Sequence, residues 1–434
     1  MKHSGRVYAW AMYDWANSAF TTAIMVGFFP IYFKQYFSYG IDPATSTAWL
    51  GLGNSAASLV VFVLAPLLGA LADAGNMKKR LLLCFACIGM GMTAALAFVD
   101  KGQAHVAIAI YGASVVGFLG ANVLYDSLLS AVARPRHYQR VSSLGYALGY
   151  LGGGLLFLFC VLLVTMPQTF GLDSAATAIK AAFLLTALWW LVFSLPLMLF
   201  VKEPRYNQAL LAHEDSDAGE RSPRSVLVRG FMELSGTLRK IRKLPVVLLF
   251  LLAYWFYIDG VQTVAVMAVD FGLNIGLESN DLITALLVIQ FLAFPCTLLA
   301  YGLAARFGVK PVLYILIGVY LVVTVAASGM TTSNEFYLLA VFIALAQGGL
   351  QALSRALYAR ITPARYAGEF FGFYNMFGKF AAMLGPLIVS ASALLMDDIR
   401  FSVWPIALLF LIGACLLMRV NIKQGEADAK AFRL

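Results

Sequence analysis

The segment Tyr13-Asp14-Trp15-Ala16-Asn17-Ser18-Ala19-Phe20 places a carboxylate and two further polar side chains inside a stretch that is otherwise suited to lipid. An ionised side chain within a membrane span costs roughly 2.5–3.5 kcal/mol on insertion scales, so such residues usually face a partner or a cavity. Asp14, Asn17 and Thr21 are three or four residues apart, which puts them on one face of a helix. The segment predicts a membrane helix whose polar face lines an internal cavity.

The composition of the whole chain agrees with a membrane protein. Of its 434 residues, 61% are hydrophobic and 12% are charged, whereas soluble domains have about 45–50% apolar and about 25% charged residues. A hydrocarbon core about 30 Å thick needs about 20 mostly apolar residues for each helix that crosses it. The chain therefore predicts an all-α polytopic membrane protein with twelve transmembrane helices, near residues 7–36, 46–72, 80–99, 104–133, 140–166, 177–201, 246–270, 281–305, 311–328, 335–360, 366–396 and 401–418.

The basic residues indicate the orientation. Most of the 31 Lys and Arg residues fall in the N-terminal tail, in the connections after even-numbered helices and in the C-terminal tail. By the positive-inside rule, both termini are expected in the cytoplasm, in the inner (plasma) membrane of a bacterium. The same distribution accounts for the net charge of +9, so we expect the lipid bilayer and no nucleic acid as a partner. The predicted outer side carries Lys34, Lys101, Lys180 and Arg400.

One long polar segment divides the chain. Residues 202–245 separate an N-terminal six-helix bundle, residues 1–201, from a C-terminal six-helix bundle with a short cytoplasmic tail, residues 246–434. Apolar residues recur at helical spacing among the Lys and Arg of this segment, which predicts an amphipathic helix on the inner membrane surface.

The second half of the chain repeats the first, as expected for two pseudo-symmetric bundles. Helix seven has Asp259 where helix one has Asp14. Three pairs of residues share an offset of 228 positions: Pro135 and Pro363, Tyr138 and Tyr366, and Tyr146 and Tyr374.

The end of helix two reads Gly69-Ala-Leu-Ala-Asp73-Ala-Gly75-Asn-Met-Lys78-Lys79-Arg80. This stretch resembles the motif between the second and third helices of the major facilitator superfamily. This motif and the opening Tyr-Asp-Trp-Ala-Asn-Ser make the chain similar to the vacuole-effluxer-like branch of the superfamily. The resemblance covers the full length of the chain. The resemblance implies a transporter, and efflux of amino acids from the fungal vacuole is the activity attached to the branch. It also implies a gating motif formed by Gly69, Asp73, Lys78, Lys79 and Arg80, in which Asp73 accepts hydrogen bonds at the start of helix eleven.

The presence of polar residues at membrane depth varies from helix to helix with a period of three. Helices three, six, nine and twelve carry no ionisable side chain other than tyrosine in their apolar cores, whereas helices one, four, seven and ten each carry Asp, Asn, Gln or Arg at membrane depth. The second set is expected to line a wet cavity, and one face of helix ten includes Ser354 and Arg355. The candidate substrate-binding residues are Asn17, Asn122, Tyr125, Gln262, Gln290, Gln347, Gln351, Tyr374, Asn375 and Lys379.

Three carboxylates are candidates for proton coupling. Asp14 and Asp126 each lie about 12 Å in from the predicted cytoplasmic boundary at 1.5 Å rise per residue, and we expect them to approach one another. Two carboxylates in a site of low dielectric constant would hold one proton between them. The alternative is that each accepts hydrogen bonds and never titrates. Asp259 is expected near mid-membrane, paired with Lys379, as a site that a zwitterionic substrate opens or as a permanent ion pair.

No enzyme motif accompanies these residues. The chain has no His-Glu-x-x-His, no Gly-x-Ser-x-Gly and no Walker loop, and its four histidines lie at loops or span ends, so we expect no cofactor and no metal. The sequence predicts a monomeric secondary active transporter of a small polar or zwitterionic solute, such as an amino acid or a peptide-like metabolite. We expect it to be proton-coupled and to work by alternating access. A channel or lipid scramblase, and a ligand sensor or scaffold on a transporter fold, remain as alternatives.

Overall fold

The computed structural model describes residues 4–203, 236–274, 278–395 and 404–432. In this part of the chain, twelve helices of 16 residues or more follow one another without a strand. Ten helices are long and apolar enough to cross a membrane, and an eleventh span results if the bent pair Trp404–Arg419 and Ile422–Ala431 counts as one. The predicted all-α membrane fold is confirmed. The helices are α1 (from Ser4–Ala19), α2 (Pro43–Gly75), α3 (Lys78–Ala95), α4 (Ala104–Ser127), α5 (Tyr138–Thr165), α6 (Ala175–Phe200), α7 (Pro245–Asn274), α8 (Ser279–Phe307), α9 (Val309–Ala327), α10 (Ser333–Ile361), α11 (Ala367–Leu395), α12 (Trp404–Arg419) and the short terminal α13 (Ile422–Ala431).

Helix α1 changes its geometry immediately after its polar face. The regular helix Ser4–Ala19 continues as a π-helix over Phe20–Phe28, and a second wide turn follows at Phe33–Phe37. Such wide turns are rare and are found frequently at functional sites. Because hydrogen bonds run to the fifth residue instead of the fourth, side chains beyond Ala19 face directions that an ideal helix would not give them.

Glycines of α5 allow α1 to approach closely. A Cβ on Gly149 would lie 2.6 Å from Ser18 Oγ, and one on Gly152 would lie 2.6 Å from the indole of Trp15. Small residues at such interfaces let two backbones pack directly against one another. Gly149 and Gly152 therefore form part of the surface of α5 that packs against α1.

The two bundles, α1–α6 and α7–α12, meet along equivalent helices. Helix α2 packs against α11 and α5 packs against α8, which are the pairs that exchange when the two halves are interchanged. Helix α5 also contacts α10, and α4 contacts α11. A short 3₁₀ turn precedes the fifth helix of each bundle, at Pro135–His137 and Ala364–Tyr366, as the repeated sequence predicts.

The described end of the linker packs on the protein. Residues 236–242 are helical, with Thr237 and Ile241 buried. The Thr237 hydroxyl donates to Glu369 at 2.7 Å, and Lys240 Nζ donates to both carboxylate oxygens of Glu369 at 3.0 Å. The rest of the predicted amphipathic segment, residues 204–235, lies outside the described residues.

Candidate functional site

A single buried arginine of α10 holds the two bundles together. Arg355 is 1% exposed, and its guanidinium donates to Asp126 Oδ1 at 2.9 Å and to Asp14 Oδ2 at 3.2 Å. It also donates to the hydroxyl of Ser142 at 2.9 Å and to the carbonyl oxygen of Ser142 at 3.1 Å. One cation of the C-terminal bundle thus binds α1, α4 and α5 of the N-terminal bundle.

Each carboxylate has a further donor. The Tyr125 hydroxyl donates to Asp14 Oδ2 at 2.8 Å, and Asn375 Nδ2 of α11 donates to Asp126 Oδ2 at 3.0 Å. Two carboxylates and one guanidinium leave one negative charge in excess when all three groups are ionised. We call this group the arginine cluster; its members are Arg355, Asp14, Asp126, Tyr125, Ser142 and Asn375.

Aromatic rings enclose the guanidinium. The guanidinium carbon of Arg355 lies 4.2 Å from the ring centroid of Tyr146 and 4.9 Å from that of Trp10. Trp10 stacks on Tyr125 with centroids 4.5 Å apart, and its indole donates to the Tyr125 carbonyl oxygen at 3.2 Å. Cations within about 6 Å of a ring centroid are attracted to the face of the ring. The rings thus fix the direction in which Arg355 presents its donors.

The sequence pattern placed Asp14 and Asp126 near each other, and the structure brings both to Arg355. The prediction that the two carboxylates hold one proton between them does not include this shared cation. The sequence assigned Arg355 only to the polar face of helix ten. The position of Arg355 inside an apolar span could have indicated its role. A buried cation requires counter-charges, and the two aspartates are predicted at a similar depth.

Three predicted binding residues join helices within and between the bundles. Asn17 Nδ2 donates to Asn122 Oδ1 at 2.5 Å, which links α1 to α4. Gln290 Nε2 of α8 donates to the hydroxyl of Thr22 at 2.9 Å, which links the C-terminal bundle to the π-helical part of α1. Three further candidates are half-buried: Gln262, Gln347 and Gln351.

Tyr374 belongs to a stack of tyrosines beside the arginine cluster. Its ring lies 4.1 Å from the ring of Tyr254 and 4.9 Å from that of Tyr358, measured between centroids. It precedes Asn375, which contacts Asp126. The candidate tyrosine thus lines the side of the cluster that the C-terminal bundle provides.

Asp259 lies apart from the cluster, on α7. It is 3% exposed, and a Cβ on Gly385 of α11 would lie 2.6 Å from its Oδ1 atom. The absence of a side chain at Gly385 therefore allows α11 to approach this carboxylate. The side chain of Lys379 lies outside the described residues, so the Asp259–Lys379 pair stays a prediction.

The residues of the predicted gating motif join α2 to α11 at the predicted cytoplasmic end. Asp73 Oδ2 accepts a hydrogen bond from the Glu369 backbone N–H at 2.9 Å, and Lys78 Nζ lies 2.6 Å from Asp73 Oδ1. A Cβ on Gly69 would lie against the backbone of Gly368 and 3.0 Å from the nitrogen of Glu369. We call this contact between α2 and α11 the latch.

Two more basic residues complete the motif. Lys79 Nζ donates to the carbonyl oxygens of Met198 at 2.7 Å and Val201 at 2.6 Å, which ties the start of α3 to the end of α6. Arg80 is exposed. The Glu369 carboxylate binds Lys240 of the linker, so the latch extends to the segment that joins the two bundles.

Comparison with known proteins identifies the family. The family model described as "Vacuole effluxer Atg22 like" matches residues 39–137 and 134–430. The chain belongs to this family. It is 36% identical over 97% of its length to 97% of an uncharacterized MFS-type transporter, YxiO, of Bacillus subtilis (strain 168). Autophagy-related protein 22 of Coccidioides immitis (strain RS) is 28% identical over 70% of the chain, but the match spans only 52% of that fungal relative.

A solved structure supports the fold. The major facilitator proton:xylose symporter XylE superposes with a TM-score of 0.72 and 14% sequence identity, over 96% of this chain and 95% of that one. The family match and the similarity to YxiO place this membrane protein among the MFS-type transporters, and the solved structure agrees with the major facilitator fold.

Gly145 of this transporter leaves space for the arginine cluster. A Cβ at this position would lie 2.5 Å from Asp14 Oδ2 and 3.1 Å from Arg355 Nη2. We expect Gly145→Ala to lower the free energy of unfolding by about 1–3 kcal/mol, as overpacking does, and thermal unfolding of the purified protein measures this. Gly112→Ala, where nothing lies within 4 Å of the added Cβ, is the control. Equal unfolding temperatures for the two variants would contradict the close contact.

Proposed function

We propose that this protein is a proton-coupled secondary active transporter of a small zwitterionic solute, an amino acid or a peptide-like metabolite, working by alternating access. The observation that carries the proposal is the arginine cluster, in which Arg355 of one bundle holds Asp14 and Asp126 of the other. Ion pairs between two bundles exist only while the bundles are together at that depth. A change in these pairs is therefore a change in the relative stability of two conformations.

The contacts between the bundles favour a state closed at the predicted cytoplasmic end. The latch and the arginine cluster both join the bundles there, through Asp73 and Arg355 respectively. Opening this end separates Arg355 from its carboxylates, and an uncompensated buried charge costs about 3–5 kcal/mol. A proton on Asp14 or Asp126 removes one charge from the cluster and lowers the cost of separation. This step would couple proton movement to opening.

A zwitterionic substrate suits the same groups. Its carboxylate matches the fork of donors on Arg355, and its ammonium group matches Asp14 or Asp126. A solute that binds these groups in one conformation and not in the other supplies the differential affinity that shifts the equilibrium. The family description, vacuole effluxer, supports a transport role and names no solute.

The proposal includes the arrangement of the chain in the membrane. Residues 1–201 and 246–434 would form the two moving bundles, and residues 202–245 would connect them at the cytoplasmic face. Both termini would lie in the cytoplasm of a bacterium, because the basic residues concentrate on that side. One chain would form the complete transport unit.

The experiment is a flux assay in proteoliposomes with a mixed pool of amino acids, short peptides and metabolites, with and without an inward-acid pH gradient. At one proton per solute, a gradient of one pH unit should give about tenfold accumulation, because one pH unit equals 1.36 kcal/mol. Asp14→Asn and Asp126→Asn are expected to lose this accumulation while exchange of solute across the membrane persists. Asp100→Asn, an exposed aspartate outside the bundle core, is the control.

Two results would contradict the proposal. Flux that neither saturates nor shows counterflow would indicate a channel or a scramblase. Binding of solute without flux under any gradient would indicate a sensor or a scaffold on a transporter fold.

A further inference from the structure

A basic pocket opens at the predicted cytoplasmic end of the N-terminal bundle. It has a volume of about 630 Å³ and lies between the start of α1, the segment that follows α4 and the start of α5. Among the described residues that line it, none is acidic. The basic residues of its lining are Arg6, Arg134, Arg136, His137 and Arg140.

The side chains around the pocket are accessible and of two kinds. Arg134, Arg136 and Arg140 are exposed, and Arg136 Nε donates to His137 Nε2 at 3.1 Å, so the two side chains are neighbours. The rest of the lining is mostly apolar and includes Val141 and Leu144. The pocket therefore combines positive charge with apolar surface at the predicted cytoplasmic end.

The equivalent place in the C-terminal bundle is occupied. Arg360 and Ile361 stand 228 positions after Val132 and Ala133, which line the pocket. There, helix α13 covers the end of α10: Glu426 forms an ion pair with Arg360, and a Cβ on Gly425 would lie 3.0 Å from Ile361. In the C-terminal bundle, the carboxylate of Glu426 therefore neutralises Arg360. The pocket of the N-terminal bundle has four arginines, and the described residues of its lining include no carboxylate that could neutralise them.

We propose that this pocket binds an anionic phosphate group, from a phospholipid headgroup or from a soluble phosphate monoester. The planar fork of arginine donors matches phosphate oxygens in bidentate geometry. Basic pockets between membrane helices on the cytoplasmic side suit anionic headgroups. The apolar residues of the lining, such as Leu144, would then contact the first carbons of an acyl chain, which favours the lipid as the source.

Retention of lipid by the full-length purified protein tests the proposal. The protein is equilibrated in detergent with equal amounts of phosphatidylglycerol and phosphatidylcholine, and the lipid molecules that remain bound are counted by native mass spectrometry. Arg136→Gln/Arg140→Gln is expected to lower phosphatidylglycerol retention about 25-fold, about fivefold for each arginine, because one basic residue contributes ~1 kcal/mol near an anionic surface. The control replaces two exposed arginines of the linker helix, Arg239→Gln/Arg242→Gln, and should retain the lipid as the unmodified protein does.

A second arm separates the two sources of phosphate. Glycerol 1-phosphate is added to the delipidated protein, and the shift in its unfolding temperature is measured. Retention of phosphatidylglycerol without such a shift identifies a lipid site, and a shift that disappears in the glutamine variant identifies a soluble ligand.

A third variant distinguishes the loss of positive charge from misfolding or misinsertion of the glutamine variant. Arg136→Lys/Arg140→Lys keeps the positive charge of the loop and should retain most of the phosphatidylglycerol. If the glutamine variant and the linker control retain equal amounts of phosphatidylglycerol, and glycerol 1-phosphate shifts neither, the proposal is overturned.

Discussion

Replacing Arg355 by glutamine is expected to abolish gradient-driven transport and to lower the free energy of unfolding by about 3–5 kcal/mol, as removal of one partner from a buried ion pair does. The change leaves the carboxylates of Asp14 and Asp126 facing each other without their shared cation. It also leaves the hydroxyl and carbonyl oxygen of Ser142 without their donor. Thermal unfolding of the purified protein and uptake into proteoliposomes measure the two effects.

A matched control and a double variant make this result specific. Arg306→Gln removes an exposed arginine at the end of α8 and should change neither quantity. In the Arg355→Gln background, Asp126→Asn should restore part of the lost stability, because it removes one of the two uncompensated charges. If the two substitutions destabilise additively instead, Arg355 and Asp126 are not coupled and the arginine cluster is not the element that joins the bundles.

The prediction of the fold depended on features that the sequence records directly. Long apolar segments and a biased distribution of Lys and Arg are visible in the sequence, and they specify a polytopic helical protein without any contact being known. The offset of 228 residues, visible at Tyr138 and Tyr366, carries the two-bundle symmetry. These patterns concern single helices and their order, which is why they can be derived from one sequence.

The site was predicted only in part, because it depends on how helices are rotated against each other. A charged residue within an apolar span needs a partner, and this rule selected Asp14 and Asp126. Which partner each one meets depends on glycines such as Gly145, whose missing side chain admits the Asp14 carboxylate. The rings that enclose Arg355 likewise come from α1, α4 and α5, and no spacing within one helix indicates that Trp10 and Tyr146 share a cation.

The basic pocket shows a different reason for a missed feature. The positive-inside rule alone accounts for Arg134, Arg136 and Arg140 in the sequence, so nothing there indicates a ligand. The comparison with the C-terminal bundle, where Glu426 neutralises Arg360, distinguishes a ligand pocket from basic residues that only set the orientation.

Gly69→Ala is expected to shift the conformational equilibrium away from the state in which the predicted cytoplasmic end is closed. The added Cβ would lie against the backbone of Gly368, where no rotation of a side chain can relieve the overlap, so α2 and α11 must move apart. Overpacking of this kind costs about 1–3 kcal/mol, and a cost confined to one conformation changes the ratio of the two states about 5- to 150-fold. The hydrogen bond from the Glu369 backbone to Asp73 should be lost with the separation.

Distance measurements between spin labels can detect this shift. Labels at His137 and Arg306, which are exposed on different bundles at the same end, should show a larger population of long distances in Gly69→Ala. Gly51→Ala is the matched control on the same helix, because nothing lies within 4 Å of its added Cβ. Both substitutions raise the helix propensity of α2 by up to about 1 kcal/mol, so propensity cannot explain a difference between them. Identical distance distributions in the two variants would show that the close approach at Gly69 does not hold this end shut, and closure would then depend on the arginine cluster alone.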